Sequence, residues 1–161
     1  MKIITEQQIR SLAITPRQCV EWIHESFAMK HEAQLPAKIS VHPADYDFFT
    51  SMPCLLPDNG GDIRFFGIKE VHRIEGAVPS LGSDIMLYNA KNGELLALMD
   101  GDWITTMRTG AVAAASAKAL RKSNASVYGF VGLGNTARAS LLCILMLIIE
   151  RRKLTHESTV H

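Results

Sequence analysis

The spacing of apolar residues changes period several times along the chain, and each change marks an element. Thr5-Glu6-Gln7-Gln8 has the spacing of a capping box, which predicts a short helix. In Thr15-Pro16-Arg17-Gln18 a threonine cap precedes proline at the first helical position. Val20, Ile23, His24 and Phe27 then follow at i, i+3, i+4 and i+7, predicting an amphipathic helix that ends near Ala33. From Pro36 the period becomes two: Lys38, Ser40 and His42 alternate with Ile39 and Val41, and Phe48 to Met52 reads as the partner strand across a turn at 43–47. After a second turn at 57–61, Ile63 to His72 alternates so that Phe65, Gly67, Lys69 and Val71 share one face, with Glu70 on the other. Glu75 to Gly82 reads as a loop able to border a pocket. Ile85 to Asn89 and Leu95 to Met99 flank Asn92-Gly93, a hairpin signal. These periods add up to a mostly antiparallel sheet with helices at its start.

Past the hairpin the pattern turns helical. Asp102 is the expected N-cap of a long alanine-rich helix reaching Arg121 or Lys122, whose basic end suits the helix dipole. Counted by three and four, Arg108 shares a face with Ile104, Ala111, Val112 and Ala115, and an arginine on an apolar stripe calls for a buried anion. That anion is either a structural carboxylate or the carboxylate of a ligand. Ser126 to Val131 reads as a strand, followed by Gly132-Leu133-Gly134-Asn135-Thr136-Ala137 and a helix from about Asn135 to Arg151. A strand, a G-x-G-x-x-A turn and a helix resemble the opening of a dinucleotide-binding unit, in which the glycines admit a pyrophosphate to the helix N-terminus. An ordinary strand-turn-helix junction has the same look. Leu141 to Ile149 is apolar on every side of its helix and needs cover on more than one side.

Composition narrows the classes. With 47% hydrophobic and 20% charged residues and a net charge of +1, the 161-residue chain is an ordinary globular sequence, without the basic excess that nucleic acid or an anionic membrane would call for. Cys19, Cys54 and Cys143 sit at unrelated spacings inside apolar runs, which argues against a disulfide framework or a metal site and fits a reducing, cytoplasmic setting. The longest apolar run is about half of the ~20 residues a membrane span needs. His24, Trp22, Trp103 and Met52 read as packing residues on type alone. On a strand face Lys38 taken alone is better suited to solvent than to a site, and an ion pair is the structural alternative for Lys69.

Taken in order, several segments resemble the ornithine cyclodeaminase and mu-crystallin family of NAD(P)-dependent enzymes. They are Pro36-Ala37-Lys38, Ser51-Met52-Pro53, Gly67-Ile68-Lys69, Asn92-Gly93-Glu94-Leu95-Leu96-Ala97, Thr105-Thr106-Met107-Arg108-Thr109-Gly110-Ala111 and the glycine turn. The resemblance runs to about Leu154, and the arginine-threonine motif shortly before a dinucleotide turn is its most distinctive part. It implies an α/β protein: an N-terminal α+β substrate-binding and dimerisation domain over 1–122, then the first strand-turn-helix of an incomplete Rossmann domain over 123–161. It also implies NAD or NADP as cofactor, a small amino or imino acid as substrate, and a homodimer. Family members are roughly twice as long. After Thr155 the segment His156 to His161 does not continue as their next strand would, so a truncated or frameshifted reading frame is expected.

The resemblance further assigns roles. Arg108 grips the substrate carboxylate with Lys38 as a second cation, Lys69 exchanges the proton, and Met52 walls the site. Thr109, Gly132, Gly134, Asn135, Thr136 and Ala137 meet the cofactor. The implied chemistry is oxidoreductase or lyase: hydride transfer between an amino acid α-carbon and nicotinamide, extended in the cyclodeaminases to closure of ornithine to proline with loss of ammonia. Two other expectations compete with an active enzyme: a non-catalytic ligand-binding or dimerisation protein of the mu-crystallin type, and an inactive gene remnant.

Overall fold

A computed structural model of the chain describes residues 1–122 and 124–157, with side chains through residue 148. It is a mixed α/β structure built as β1 (Lys2–Ile4), α1 (Glu6–Ser11), α2 (Pro16–Met29), β2 (Ile39–Val41), β3 (Phe48–Leu55), β4 (Phe65–Arg73), β5 (Leu81–Asn89), β6 (Glu94–Asp100), α3 (Asp102–Leu120) and α4 (Asn135–Glu157). Ser158 to His161, part of the segment expected not to continue as a strand, lies outside the described residues, while His156 and Glu157 continue α4. No helix among the described residues is long and apolar enough to cross a membrane.

The chain divides into two compact units. The first, Met1–Ala13 with Ala28–Ile104, holds a six-stranded sheet in the order β1-β6-β5-β4-β3-β2. Every neighbouring pair is antiparallel except β1 with β6, which is parallel. The alternation expected from Ile63 onward becomes β4. The loop expected through Gly82 is shorter, because β5 begins at Leu81 to pair with Arg73. One face of the sheet carries the buried positions Thr50, Val71, Ser83, Asn89 and Ala97. The other presents Phe49, Phe66, Ile68, Met86, Tyr88 and Leu98, all at least partly exposed.

Local signals set the helix starts. Thr5 and Gln8 form the expected capping box, with the Gln8 backbone N–H donating to Thr5 Oγ1 at 3.3 Å and the Thr5 N–H donating to Gln8 Oε1 at 2.9 Å. Thr15 and Gln18 repeat the same exchange ahead of α2. That helix ends at Met29, short of the expected Ala33, and only Cys19 and Val20 are buried on it, so its apolar stripe is covered at the N-terminal end alone. Asp102 is not the N-cap. It stands in the first turn of α3, and its own N–H is taken by the Asp100 carboxylate at 3.0 Å.

The second unit comprises Ile14–Phe27 and the described residues from Thr105 on. Here α3 and α4 pack closely enough to exclude a side chain: a Cβ on Gly110 would fall 2.5 Å from the Ala139 carbonyl carbon and 2.7 Å from the Ser140 nitrogen. Small buried residues surround this contact on both helices, Ala111, Ala114 and Ala115 on α3 and Ala139, Ser140 and Cys143 on α4. Beyond them α4 exposes Leu141, Leu142 and Leu145, so the helix apolar on every side lacks cover on one side, as its sequence implies. The strand expected over 126–131 is not formed. A strand needs a neighbour for its backbone groups, and none of the described residues supplies one.

Gly110→Ala is therefore expected to destabilise the chain by roughly 1–3 kcal/mol, overpacking outweighing the better helix propensity of alanine. Urea unfolding of the two proteins measures it, and an unchanged or higher midpoint would place the helices further apart.

Candidate active site

The sheet register places three of the expected site residues in one row. Met52 pairs with Lys69, and Lys69 pairs with Ile85. Lys38 lies one residue ahead of the Ile39↔Ser51 pair, so the same row extends to it at the sheet edge. Directly paired side chains on one face stand about 5 Å apart at Cβ, so Met52 and Ile85 are the immediate walls of Lys69. Lys69 and Met52 are half-buried and Lys38 is exposed. The row beside them on one side, Thr50, Val71 and Ser83, is buried, at 6%, 8% and 6% exposure. On the other side lies Cys54–Gly67–Leu87.

Glu70 takes the opposite face, as its place in the alternation requires. There its Oε2 meets His72 Nδ1 at 3.2 Å, while Oε1 is buried without a hydrogen-bond partner. Asp84 pairs with both Glu70 and Asp100, which puts all three carboxylates on that face and away from Lys69.

Ile85 and Cys54 escaped the sequence reading, because adjacency across strands depends on register. The period-two pattern names their face, and only the pairing names their neighbour. Near the start of β5 a further carboxylate has a structural task. Asp102 Oδ1 accepts from the Ser83 N–H at 2.6 Å, tying the strand to the start of α3.

Arg108 departs from expectation. It is exposed rather than buried on an apolar stripe, because the buried stripe of α3 runs through Met107, Gly110, Ala111, Ala114 and Ala115. At 3.6 residues per turn, Arg108 falls about a quarter turn from the centre of that stripe. Its surroundings still desolvate the guanidinium enough to lower its pKa, and an arginine remains charged under such a shift. Among the described residues it makes no ion pair or hydrogen bond, so no structural carboxylate there answers it. Thr109 donates its hydroxyl to the Thr105 carbonyl at 2.7 Å, which leaves only its acceptor capacity open.

The glycine turn has the form that a phosphate cradle needs. Gly132 adopts φ +86°, open to glycine at no steric cost, and neither Gly132 nor Gly134 has a heavy atom within 4 Å of where a Cβ would be. The Arg138 N–H closes the first turn of α4 on the Gly134 carbonyl at 3.1 Å. Asn135, Thr136 and Ala137 thus occupy the first turn, where backbone N–H groups have no partner within the helix, and the first turn carries no acidic residue. This geometry fits the pyrophosphate of a dinucleotide.

The model of the ornithine cyclodeaminase/mu-crystallin family matches residues 2–156. The chain belongs to this family. Among curated members, an alanine dehydrogenase from Archaeoglobus fulgidus is 30% identical over 141 residues, covering 84% of this chain and 41% of the relative. Among solved structures, an archaeal alanine dehydrogenase dimer with bound NAD superposes with a TM-score of 0.79 at 29% identity, covering 89% of this chain and 44% of that one. A Thermococcus litoralis Δ1-pyrroline-2-carboxylate reductase in complex with NADH and L-proline gives a TM-score of 0.79 at 25% identity, covering 91% and 46%. The chain thus spans less than half the length of the family members it matches.

Burial and the neighbouring charges of Asp100 and Glu6 raise the Asp102 pKa, outweighing the Ser83 hydrogen bonds that oppose them. A folded pKa above the unfolded one means that folding favours the protonated carboxyl. The associated stability is complete below the ordinary aspartate range and is lost as pH rises through the folded value. Relative to Asp102→Asn, the wild-type chain is expected to lose stability between that acidic range and neutrality. Paired urea titrations across this window measure it, and parallel curves would contradict the shift.

Proposed function

We propose that this chain carries the substrate half of an ornithine cyclodeaminase-like, NAD(P)-dependent enzyme acting on a small amino or imino acid. The observation that carries the proposal is the row Lys38–Met52–Lys69–Ile85, in which a half-buried lysine stands between apolar walls on the face opposite Glu70, Asp84 and Asp100. In this proposal residues 1–122 bind substrate and dimerise through the partly exposed apolar sheet face, and residues from 123 on begin the cofactor domain.

Arg108 fixes the substrate carboxylate through its planar fork, which suits a bidentate grip, and Lys38 adds a second positive charge. With the carboxylate fixed, the reacting α-carbon and its nitrogen have one orientation. The Lys69 ammonium gives its proton to the substrate nitrogen in one direction and its amine recovers it in the other. Gly132, Gly134 and the first-turn N–H groups of Asn135, Thr136 and Ala137 hold the pyrophosphate, with Thr109 nearby in the sequence motif as an acceptor. The bound nicotinamide supplies a hydride acceptor or donor for the substrate α-carbon.

A second reading, a non-catalytic ligand-binding or dimerisation protein, draws on one observation: residues 126–130 have no strand partner among the described residues. It keeps carboxylate binding and drops turnover.

Arg108→Ala is expected to weaken binding of L-alanine by about tenfold to a hundredfold, the range for a hydrogen-bonded charge pair, with Arg108→Lys recovering part of it. Calorimetric titration of the purified chain measures this, and equal affinity in all three proteins would remove Arg108 from the site. Formation of reduced nicotinamide from NAD and L-alanine distinguishes the enzyme from the binding protein.

A further inference from the structure

Resting on the functional proposal above, we infer that the sheet wall around Lys69 selects amino or imino acids with a short, uncharged side chain, and that Cys54 sets this limit. The register leaves a ligand held at Lys69 one direction in which to extend over the sheet. Toward Thr50, Val71 and Ser83 the face is buried and closed. Toward Cys54, Gly67 and Leu87 it opens, because Gly67 contributes no side chain. A Cβ built there meets only the Met86 carbonyl oxygen at 3.7 Å and Leu87 Cδ1 at 4.0 Å. The space is as wide as one missing side chain, with Cys54 and Leu87 as its two flanks.

The chemistry of that space is apolar. Cys54 is diagonal to Lys69, at about 7–8 Å by strand geometry. Burial alone pushes its thiol pKa up, with no nearby charge acting in either direction. The same desolvation opposes any unpaired charge brought there. A diamino acid carries a second ammonium that would need a carboxylate or water in this space. Glu70, Asp84 and Asp100 point to the other face, and the one strand acid on this face, Glu94, is exposed and pairs with Asn89 at the far end of β5, a row beyond Gly67 and Leu87. An alanine methyl or the ring methylenes of a cyclic imine need no such partner.

The test titrates the 161-residue chain with L-alanine, Δ1-pyrroline-2-carboxylate and L-ornithine, following amide shifts by NMR. The first two are expected to bind at least about tenfold more tightly than ornithine, a modest fraction of the cost of burying an unpaired ammonium. Cys54→Asp, which puts a carboxylate in the space, should shrink or reverse that ratio, and Cys54→Ser should preserve it. Wild-type affinity for ornithine equal to or above that for alanine overturns the inference while leaving the functional proposal standing. So does an unchanged ratio in a Cys54→Asp protein whose spectrum shows it folded. If that variant does not fold, the wild-type ratio decides alone. Absence of binding by all three ligands overturns the functional proposal, and this inference with it.

Discussion

Strand register is the constraint on which the rest of the first unit depends. In a sheet the side-chain period is two, so a slip of one residue between β4 and its neighbours would send Lys69 to the face that holds Glu70 and His72. Hydrophobicity alone does not prevent the slip, since Phe65, Gly67 and Val71 on one face are matched by Phe66 and Ile68 on the other. The register is pinned by polar anchors at the strand ends. Buried Asn89 accepts from the Arg64 and Lys91 N–H groups at 3.3 Å and 3.0 Å and donates to the Asp62 carbonyl at 3.4 Å, locking the start of β4 to the end of β5. At the other end of β5, the Ser83 N–H is held by Asp102. Gly93, at φ +76°, closes the hairpin to β6. The site row is therefore positioned by residues that take no part in it.

What was legible in the sequence is what is decided locally. The Thr5–Gln8 capping box joins residues three apart, the Thr15 cap stands directly before its proline, and the Asn92-Gly93 turn needs only its own backbone, so these were readable from type and spacing. The alternation that gives Lys69 its face was readable for the same reason. Features decided by distant partners were not. Three-residue β1 exists because Lys2 to Ile4 lie beside Ala97 to Met99, a parallel pairing with no local signature. The strand expected over 126–131 shows the converse: its residues have strand character, yet pairing requires a second segment. Arg108 was misplaced because an alanine-rich helix gives little hydrophobic contrast, so the centre of its buried stripe could not be read within a quarter turn. Met52 and Lys69 were named as separate motif residues, whereas Ile85 and Cys54 become their neighbours only through pairing.

The second unit is organised by size rather than by hydrophobic contrast. Gly110 and the alanines around it let α3 approach α4 to backbone contact, and Cys143, fully buried, points its thiol toward the Pro16 carbonyl at 4.0 Å. Burial and the proximity of Cys19 push the Cys143 thiol up to about 11, so it is a packing residue with little thiolate at neutral pH. This small-residue contact uses one side of α4 near its start, close in sequence to the glycine turn. The larger residues, Leu141, Leu142 and Leu145, face outward with 43%, 50% and 43% exposure. A contiguous apolar surface of this kind on a chain under half the length of its relatives is a reason to expect association.

The division of charge across the sheet connects the fold to the chemistry. A carboxylate ligand approaching the Lys69 face would be repelled by acids on that face, and β4, β5 and β6 between them carry Glu70, Asp84 and Asp100 in a single row. Period-two alternation places that row one residue out of step with Met52–Lys69–Ile85, so these three acids lie behind the backbone from the cation, and Glu94, on the cation's face, stands at the far end of the sheet beside Asn89. Had the strands carried these acids an even number of steps from Lys69 and Ile85, the same composition and the same fold would have put them on the lysine's own face. Net charge near zero for the whole chain is thus compatible with a locally cationic face. The separation of Lys69 from these acids comes from alternation along three strands, held in phase by Asn89 and Asp102, rather than from any excess of basic residues.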